Sequence, residues 1–307
     1  MTDALHVKGL HKTYANGFVA LKGIDLRVEQ GDFFALLGPN GAGKSTTIGI
    51  ITSLINKTAG QVSVFGHDID TALPDAQQCI GVVPQEFNFN IFEKVEDILY
   101  NQAGFYGLTR RQARDKIEYY LNRLSLWDRR HSPAKQLSGG MKRRLMIARA
   151  MVHEPKLLIL DEPTAGVDLK IRRAMWDFIS EINEKKGVTI ILTTHYLEEA
   201  EQLCKNVAII DAGQVITQTN MKSLLSQLDS ESVVLTVENP LPTTLELANY
   251  RYLVRDETTL EVELTRQQGL TDLFSQLHHA NINVKNMRNK TNRLEELFLR
   301  LVGGGKP

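Results

Sequence analysis

Residues 38–45, Gly-Pro-Asn-Gly-Ala-Gly-Lys-Ser, constrain the possible folds of this chain more than any other stretch. An apolar run at 33–37 precedes them, and residues 46–51 can follow as a helix. A strand that ends in a glycine-rich turn and leads into a helix presents backbone N–H groups and the positive end of the helix dipole to a phosphate. In the pattern GxxxxGK followed by Ser or Thr, Lys44 reaches the outer phosphates and the Ser45 hydroxyl binds Mg²⁺. The flanking strand and helix signals favour a nucleoside triphosphate site over a chance match in a surface loop.

Composition limits the class of protein. A chain of 307 residues is long enough for two domains. Lys plus Arg and Asp plus Glu each number 36, so the overall charge gives no reason to expect a nucleic-acid partner. Cys79 and Cys204 lack metal-ligand or redox spacing and are predicted to be buried apolar residues. No apolar run approaches the ~20 residues of a membrane-spanning helix, and the N-terminus lacks the form of a signal peptide. We therefore expect a soluble, cytoplasmic chain.

Polar side chains follow three further strand-like runs of apolar residues, just as the phosphate loop follows the apolar run at 33–37. They are Gln85, the pair Asp161 and Glu162, and His195. Ligands of open α/β sheets gather at the carboxyl ends of the strands, so these side chains are candidates for the same site. Carboxylates at the end of a buried strand, in a chain that has a phosphate loop, indicate metal and water handling. His195 taken alone would more often be structural.

Between about residues 93 and 150 the strand pattern gives way to helical spacing, which predicts a helical subdomain inserted into the α/β core. Ser138 is a suitable N-cap for a helix that begins at Gly139. The basic side chains of that helix, Lys142, Arg143, Arg144 and Arg149, are most simply interpreted as a solvated face.

The pattern changes again near residue 220. Strands at 232–237, 250–255, 260–264 and 282–287, with helices near 243–248 and at 270–280, predict a small ferredoxin-like α+β domain. A last helix follows from Asn292 to Val302, and the tail Gly303–Gly305 is expected to be disordered. The predicted domains are therefore 1–220 and 221–307.

Taken together, these motifs resemble the nucleotide-binding subunits of ABC transporters. Leu137-Ser138-Gly139-Gly140 resembles the family's LSGGQ signature, with Met141 in place of Gln. Gln85 corresponds to the Q-loop glutamine, His195 to the switch histidine, Asp168 to the D-loop aspartate, and Tyr14 to the aromatic residue that stacks on adenine. Three features look most like those of the type-2 exporters of drugs, polysaccharides and lipids. They are Met141 at the end of the signature, the basic residues Lys142–Arg144 that follow it, and the extra C-terminal domain.

The resemblance implies an α/β fold with a P-loop ATPase core. That core has a RecA-like parallel sheet, an antiparallel β subdomain and the inserted α-helical subdomain, and the ferredoxin-like domain follows it. ATP hydrolysis would use Lys44, Glu162 as the residue that polarises water, His195 and Gln85, with Ser45, Gln85 and Asp161 at Mg²⁺. The residues implied to contact ATP are Tyr14, Gly38, Pro39, Asn40, Gly41, Ala42, Gly43, Lys44, Ser45, Thr46, Ser138, Gly139, Gly140 and Asp168.

The resemblance also implies partners. ATP would be held between one chain's phosphate loop and the signature residues of a second copy, which makes a homodimer. The chain would sit at the cytoplasmic face of the cell membrane through separate permease subunits. The apolar cluster Phe87, Phe89, Ile91 and Phe92 is a candidate docking site for them, or simple core.

Two alternatives stay open. A soluble ABC-type ATPase acting on ribosomes or nucleic acid is disfavoured by the neutral charge and by the single motif set. The short span between Lys44 and Ser138 also leaves no room for the long coiled coil of the chromosome-organising relatives. A kinase outside the family would not explain the signature residues.

Overall fold

A computed structural model describes residues 3–228, 230–242, 245, 247–265, 268–290 and 293–302. Contacts within the chain divide it into two compact units, Met1–Asn220 and Met221–Pro307.

The first unit alternates strands and helices along the chain. Its strands are β1 (Asp3–Thr13), β2 (Val19–Glu29), β3 (Phe33–Leu37), β4 (Ala59–Val64), β5 (His67–Asp68), β6 (Ile80–Val83), β7 (Leu157–Asp161), β8 (Thr189–Thr193), β9 (Asn206–Asp211) and β10 (Gln214–Asn220). Its helices are α1 (Lys44–Ile51), α2 (Leu73–Gln78), α3 (Val95–Phe105), α4 (Arg110–Arg123), α5 (Gly139–Met151), α6 (Leu169–Lys186) and α7 (Leu197–Leu203). Short 3₁₀ turns lie at Trp127–Arg129 and Ala134–Gln136.

A six-stranded sheet in the order β10-β9-β3-β8-β7-β6 forms the centre of this unit. All neighbours are parallel except β10, which forms an antiparallel hairpin with β9. Strands β3 and β8 are buried at every residue, and β7 is buried up to its last residue, as expected for strands covered on both faces. Because β3, β8, β7 and β6 are adjacent and parallel, the loops that follow them meet at one edge of the sheet.

A second sheet, β2-β1-β4-β5, is antiparallel and packs on the first. In β2 the buried residues Ile24, Leu26 and Val28 alternate with polar residues, as the sequence predicted. One buried cluster joins residues of both sheets, including Leu26, Phe34 and Ile159. The α/β class predicted for this part of the chain is confirmed.

The predicted helical segment contains α3, α4 and α5. Helix α4 begins with a capping box in which Thr109 and Gln112 each satisfy the other's backbone N–H. Ser138 caps α5 as predicted, because its hydroxyl accepts a hydrogen bond from Met141 N at 3.3 Å. Cys79 and Cys204 are free and buried, also as predicted.

The interpretation of the α5 arginines as a solvated face is wrong. Arg143 is only 6% exposed, and Arg144 and Arg149 are half-buried. Arg144 donates to Leu124 O at 2.6 Å, and Arg149 donates to Gln102 Oε1 at 2.8 Å. The reason is that non-helical segments leave backbone carbonyls unpaired, and the guanidinium group carries several donors that can satisfy them inside the protein.

The second unit contains α8 (Met221–Leu225), β11 (Ser230–Val237), β12 (Arg251–Asp256), β13 (Thr259–Thr265), α9 (Leu270–His279), β14 (Val284–Asn289) and α10 (Arg293–Val302). Its four strands form an antiparallel sheet in the order β12-β13-β11-β14, the order of a ferredoxin-like fold. Part of the helix predicted near 243–248 lies outside the described residues, and Leu245 and Leu247 are buried in irregular backbone. The predicted disordered tail Gly303–Gly305 also lies outside them.

Candidate nucleotide site

A cavity of about 530 Å³ lies where the parallel strands end, and this is a suitable volume for a small-molecule ligand. It brings together residues of the phosphate loop with Gln85, Glu162 and His195, which the sequence places far apart. Its lining residues are Tyr14, Phe18, Ala20, Asn40, Gly41, Gly43, Lys44, Ser45, Thr46, Gln85, Glu162 and His195.

Two glycines of the phosphate loop, Gly38 and Gly43, have no room for a side chain. A Cβ atom on Gly38 would lie 2.2 Å from Ile210 O, in the strand next to β3. Gly43, which precedes α1, has a φ of 111°, and its Cβ would lie 2.7 Å from Leu21 Cδ2. L-residues with side chains rarely adopt this backbone conformation, so the turn into α1 depends on glycine.

Lys44 is buried and folds back over its own loop. Its Nζ donates to Gly38 O at 2.7 Å and to Pro39 O at 3.0 Å. Burial lowers the pKa of Lys44, and the carboxylates of Glu162 and Asp161 oppose that shift. Both carboxylates therefore act on the lysine that the sequence assigned to the phosphates.

Glu162 lies between two other predicted catalytic residues. Its Oε2 accepts a hydrogen bond from Gln85 Nε2 at 2.8 Å, and its Oε1 lies 2.5 Å from His195 Nε2. Its backbone has a φ of 50°, in the left-handed region. Its backbone N–H donates a hydrogen bond to Thr193 O, with the N and O atoms 3.1 Å apart. A non-glycine residue in this region is uncommon and is often found at functional sites.

Asp161, at the end of β7, is paired with Thr193 of β8. Thr193 Oγ1 donates to Asp161 Oδ1 at 2.5 Å. Sequence reasoning missed this hydroxyl, although a threonine at the end of the run that leads to His195 was a usable signal. Ser45, the other predicted metal ligand, is exposed and lines the cavity.

Two aromatic side chains border the cavity. The rings of Tyr14 and Phe18 are stacked with centroids 6.4 Å apart and planes 20° from parallel. Tyr14 Oη lies 3.2 Å from Thr46 Oγ1, which places the tyrosine against the start of α1. Phe18 is 57% exposed and was not predicted. Its position just after the Asn16-Gly17 turn was the signal that could have found it.

Some predicted ATP contacts lie outside this cavity. Gly139 and Ser138 are exposed at the start of α5, and a Cβ atom on Gly139 would meet no atom within 4 Å. Asp168 is the N-cap of α6, and its Oδ1 accepts from Ile171 N at 3.1 Å. Gly140 lies against α6, since its Cβ would be 2.8 Å from Ile171 Cδ1.

A buried carboxylate that sequence reasoning missed lies behind the site. Glu199 of α7 is 7% exposed and accepts hydrogen bonds from Thr164 Oγ1 at 2.9 Å, Trp176 Nε1 at 3.0 Å and Thr194 Oγ1 at 3.1 Å. Thr164 and Thr194 lie within two residues of Glu162 and His195 along the chain. Glu199 therefore ties together the segments that carry these two side chains.

Comparison with known proteins decides the family. The family model described as ABC transporter matches residues 21–165. The linearmycin resistance ATP-binding protein LnrL of Bacillus subtilis (strain 168) is 35% identical, over 97% of this chain and 98% of its own length. The chain belongs to the ABC transporter ATP-binding proteins.

Other ABC ATP-binding proteins are similar to this chain in sequence over nearly the whole of its length. The Nod factor export ATP-binding protein I of Cupriavidus metallidurans is 35% identical, with 99% of this chain and 98% of the relative covered. The daunorubicin/doxorubicin resistance ATP-binding protein DrrA of Streptomyces peucetius is 34% identical, with 98% and 93% covered. Among solved structures, the dimeric post-hydrolysis ABC cassette MJ0796 bound to ADP and Pi has 27% identity and a TM-score of 0.64, and covers 71% of this chain and 98% of its own.

These findings confirm the predicted family, fold and enzyme class. The protein is an ATP-hydrolysing transport ATPase of the ABC family, and its relatives are of the type-2 exporter kind. None of the helices in the described part of the chain is long and apolar enough to cross a membrane.

Proposed function

We propose that two copies of this ABC ATPase close around two ATP molecules and thereby drive export through separate membrane permease subunits. The observation that carries the proposal is the arrangement around Glu162, which holds Gln85 and His195 at the phosphate loop, while the signature residues of the same chain are not among those that line the cavity. One chain thus supplies the cradle, and a second copy must supply Ser138–Gly140. The dimer described for the MJ0796 cassette supports this assembly.

Within each site, the chain's own residues divide the work. Lys44 leaves the carbonyls of Gly38 and Pro39 and binds the outer phosphates, where it neutralises the charge that grows as the terminal bond breaks. Glu162 orients and polarises the attacking water, and His195 holds that water and the γ-phosphate in register. Tyr14, with Phe18 beside it, stacks on the adenine ring.

The donors around the phosphate loop fit Mg²⁺. Among the described residues, no group of three His, Cys, Asp or Glu side chains is placed to hold a metal ion. Mg²⁺ does not need such a group, because it is usually held by one or two carboxylates, water and substrate phosphates. Ser45 and Asp161, with Gln85 nearby, would hold the ion. When bound, Mg²⁺ supplies charge that stabilises the phosphate oxygens.

The permease is proposed to dock beside residues 84–88, which we call the glutamine segment. A groove of about 590 Å³ runs between residues 88–93 and α3, and its walls include Phe89, Glu93 and Phe105. Phe105 is 86% exposed, and Phe92, which lies between the lining residues Asn90 and Glu93 along the chain, is 70% exposed. Large exposed apolar side chains around a groove are typical of a protein contact. We propose that a cytoplasmic segment of the permease binds here and holds the ATPase at the cytoplasmic face of the membrane.

The decisive experiment traps the dimer. Glu162→Gln keeps the shape of the side chain but removes the carboxylate, so it should bind ATP, hydrolyse it very slowly and elute as a dimer from a sizing column with ATP and Mg²⁺. The same variant in EDTA, and the double variant with Lys44→Ala, should remain monomeric. A Glu162→Gln protein that stays monomeric with ATP and Mg²⁺ would rule out the homodimer.

Membrane coupling needs a separate measurement. The wild-type chain should sediment with membranes only when its permease is co-expressed, and Phe92→Asp should abolish that sedimentation without changing ATP binding. Recovery of ribosomes or nucleic acid instead would favour the soluble alternative. The names of the relatives support export, but they do not agree on the transported substrate. LnrL and DrrA are named for resistance to linearmycin and to daunorubicin/doxorubicin, and another relative for Nod factor export.

A further inference from the structure

Arg143 joins the signature helix to the glutamine segment of the same chain. Its Nη1 donates to Pro84 O at 3.1 Å and to Gln85 O at 2.9 Å, across nearly 60 residues of sequence. Its guanidinium also lies over the ring of Phe87, 5.0 Å from the centroid. One side chain of α5 thus fixes the backbone of Gln85 and the start of the segment that follows.

A second arginine of α5 holds the far end of that segment. Arg149 Nη1 lies 3.2 Å from Asn88 O and 2.7 Å from Asn88 Oδ1. Residues 84–88 are therefore attached to the same helix at both ends. Because Ser138 caps that helix, the helix that presents the signature residues also carries the glutamine segment.

The chain of contacts continues to the catalytic carboxylate. Arg143 holds the backbone of Gln85, and the Gln85 side chain donates to Glu162 Oε2 at 2.8 Å. Glu162 in turn contacts His195. A displacement of α5 would therefore move Gln85 relative to Glu162, and a displacement of Gln85 would move the signature residues.

We propose that Arg143 is a positioning residue that makes Gln85 and the signature helix move as one body, so that the contact of Gln85 with Glu162 and the position of Ser138–Gly140 are coupled. This inference rests on the proposed function, because it requires an ATPase cycle in which both motifs act. Arg143 is not among the residues that line the nucleotide cavity, and its proposed effect on hydrolysis passes through Gln85.

A double-mutant cycle between Arg143 and Gln85 distinguishes a positioning role for Arg143 from a purely structural one. If Arg143 acts through Gln85, removing the Gln85 side chain removes the means by which Arg143 affects turnover. If Arg143 only stabilises the fold, its effect on turnover is independent of Gln85, and the two effects multiply.

The experiment measures kcat and KM for ATP in the full chain with Mg²⁺, for Arg143→Met, Gln85→Ala and the double variant. Gln85→Ala removes the hydrogen bond to Glu162, and Arg143→Met removes the bonds that hold the backbone of Gln85, so kcat should fall about tenfold in each. The double variant should lie within about twofold of the single variants. For Arg143→Met, ATP binding and KM should stay near the wild-type values, because Lys44, the phosphate loop and the Gln85 side chain are unchanged.

The adjacent Arg144 is the matched control. Like Arg143, it is an arginine of α5 that donates to a backbone carbonyl, but it is half-buried and its partner is Leu124, which does not belong to the glutamine segment. Any effect of Arg144→Met on kcat should multiply with that of Gln85→Ala.

Arg143→Lys keeps the buried charge and guards against a folding defect in Arg143→Met. The shorter ammonium group holds the two carbonyls less well, so kcat should fall about threefold, and this loss should disappear in the Gln85→Ala background. Multiplicative effects for both Arg143 variants would overturn the inference while leaving the ATPase function intact. A wild-type chain that does not hydrolyse ATP would overturn the proposed function and the inference with it.

Discussion

The buried carboxylate of Glu199 offers a direct test of how the site is supported. In Glu199→Gln, the new amide oxygen must face Trp176 Nε1, because the indole N–H can only donate. The amide NH₂ then lies opposite the Thr194 hydroxyl, which already accepts a hydrogen bond from Tyr196 N at 3.0 Å. The Thr194 hydroxyl hydrogen therefore loses its acceptor, and Arg172, whose Nε is 3.5 Å from Glu199 Oε1, loses its anionic neighbour.

The expected decrease in the free energy of unfolding follows from these lost interactions. A hydrogen bond to a charged group contributes about 1.5–3 kcal/mol, and a buried donor left without a partner costs about 1–3 kcal/mol. We expect Glu199→Gln to lower the free energy of unfolding of the first unit by about 2–3 kcal/mol. Glu199→Leu leaves the donors of Thr164, Trp176 and Thr194 without an acceptor and should cost about 3–5 kcal/mol.

Urea unfolding followed by tryptophan emission measures the change in the free energy of unfolding of the first unit. The two tryptophans of the chain, Trp127 and Trp176, both belong to the first unit. The midpoint should shift with little change in slope, because the unfolded chain is exposed to the same extent.

Glu198→Gln is the matched control for this experiment. Glu198 also lies in the first turn of α7 but is exposed, so its change removes the same charge from the helix N-terminus without touching the buried network. We expect a loss below about 0.5 kcal/mol. Equal losses for Glu198→Gln and Glu199→Gln would refute the reasoning, since the helix dipole alone would then explain both.

Two further predictions concern pH and the signature. Burial lowers the pKa of His153 to about 4, while its ring stacks on Tyr106. The unfolded chain takes up the proton near pH 6.5 and the folded chain does not, so the free energy of unfolding should fall by up to about 3 kcal/mol between pH 6.5 and 4. His153→Gln should flatten this part of the profile in urea titrations, and parallel profiles would contradict the assignment. Gly139→Ala should leave the unfolding midpoint unchanged or slightly higher, since a Cβ there meets no atom within 4 Å, yet weaken the ATP-dependent dimer of Glu162→Gln at least about tenfold. Gly104→Ala, another helical glycine with open space, is the control that should leave the dimer unchanged; equal dimerisation in both variants would contradict the role proposed for Gly139.

Much of the site could be predicted because its signals are local. The phosphate loop, Asp161, Glu162 and His195 each follow an apolar run, and the ends of parallel strands must meet at one edge of the sheet. The four strands of the second unit were predicted in the same way from short apolar runs, whereas part of the helix predicted near 243–248 lies outside the described residues. Local patterning was enough wherever a residue's role depends on its immediate neighbours along the chain.

The sequence was a poor guide wherever a role depends on a distant partner. Charge patterning cannot show that Pro84 O and Gln85 O need donors, so the burial of Arg143 was missed. The partners of Glu199 come from three separate segments, and a single glutamate in a helical run carries no sign of them. The roles of Ser138–Gly140 and Asp168 at ATP stay predictions, because they require a second chain.

The ferredoxin-like unit gathers a hydrophobic core of its own, built from residues such as Leu235, Val262 and Leu273. A unit with a separate core can be gained, exchanged or lost at one join without opening the core of its neighbour. The solved MJ0796 cassette covers about the fraction of this chain that the first unit makes up, whereas the exporter relatives cover nearly all of it. The relatives LnrL and Nod factor export protein I thus match this chain across both units, and the separate core makes the second unit a structural module of its own.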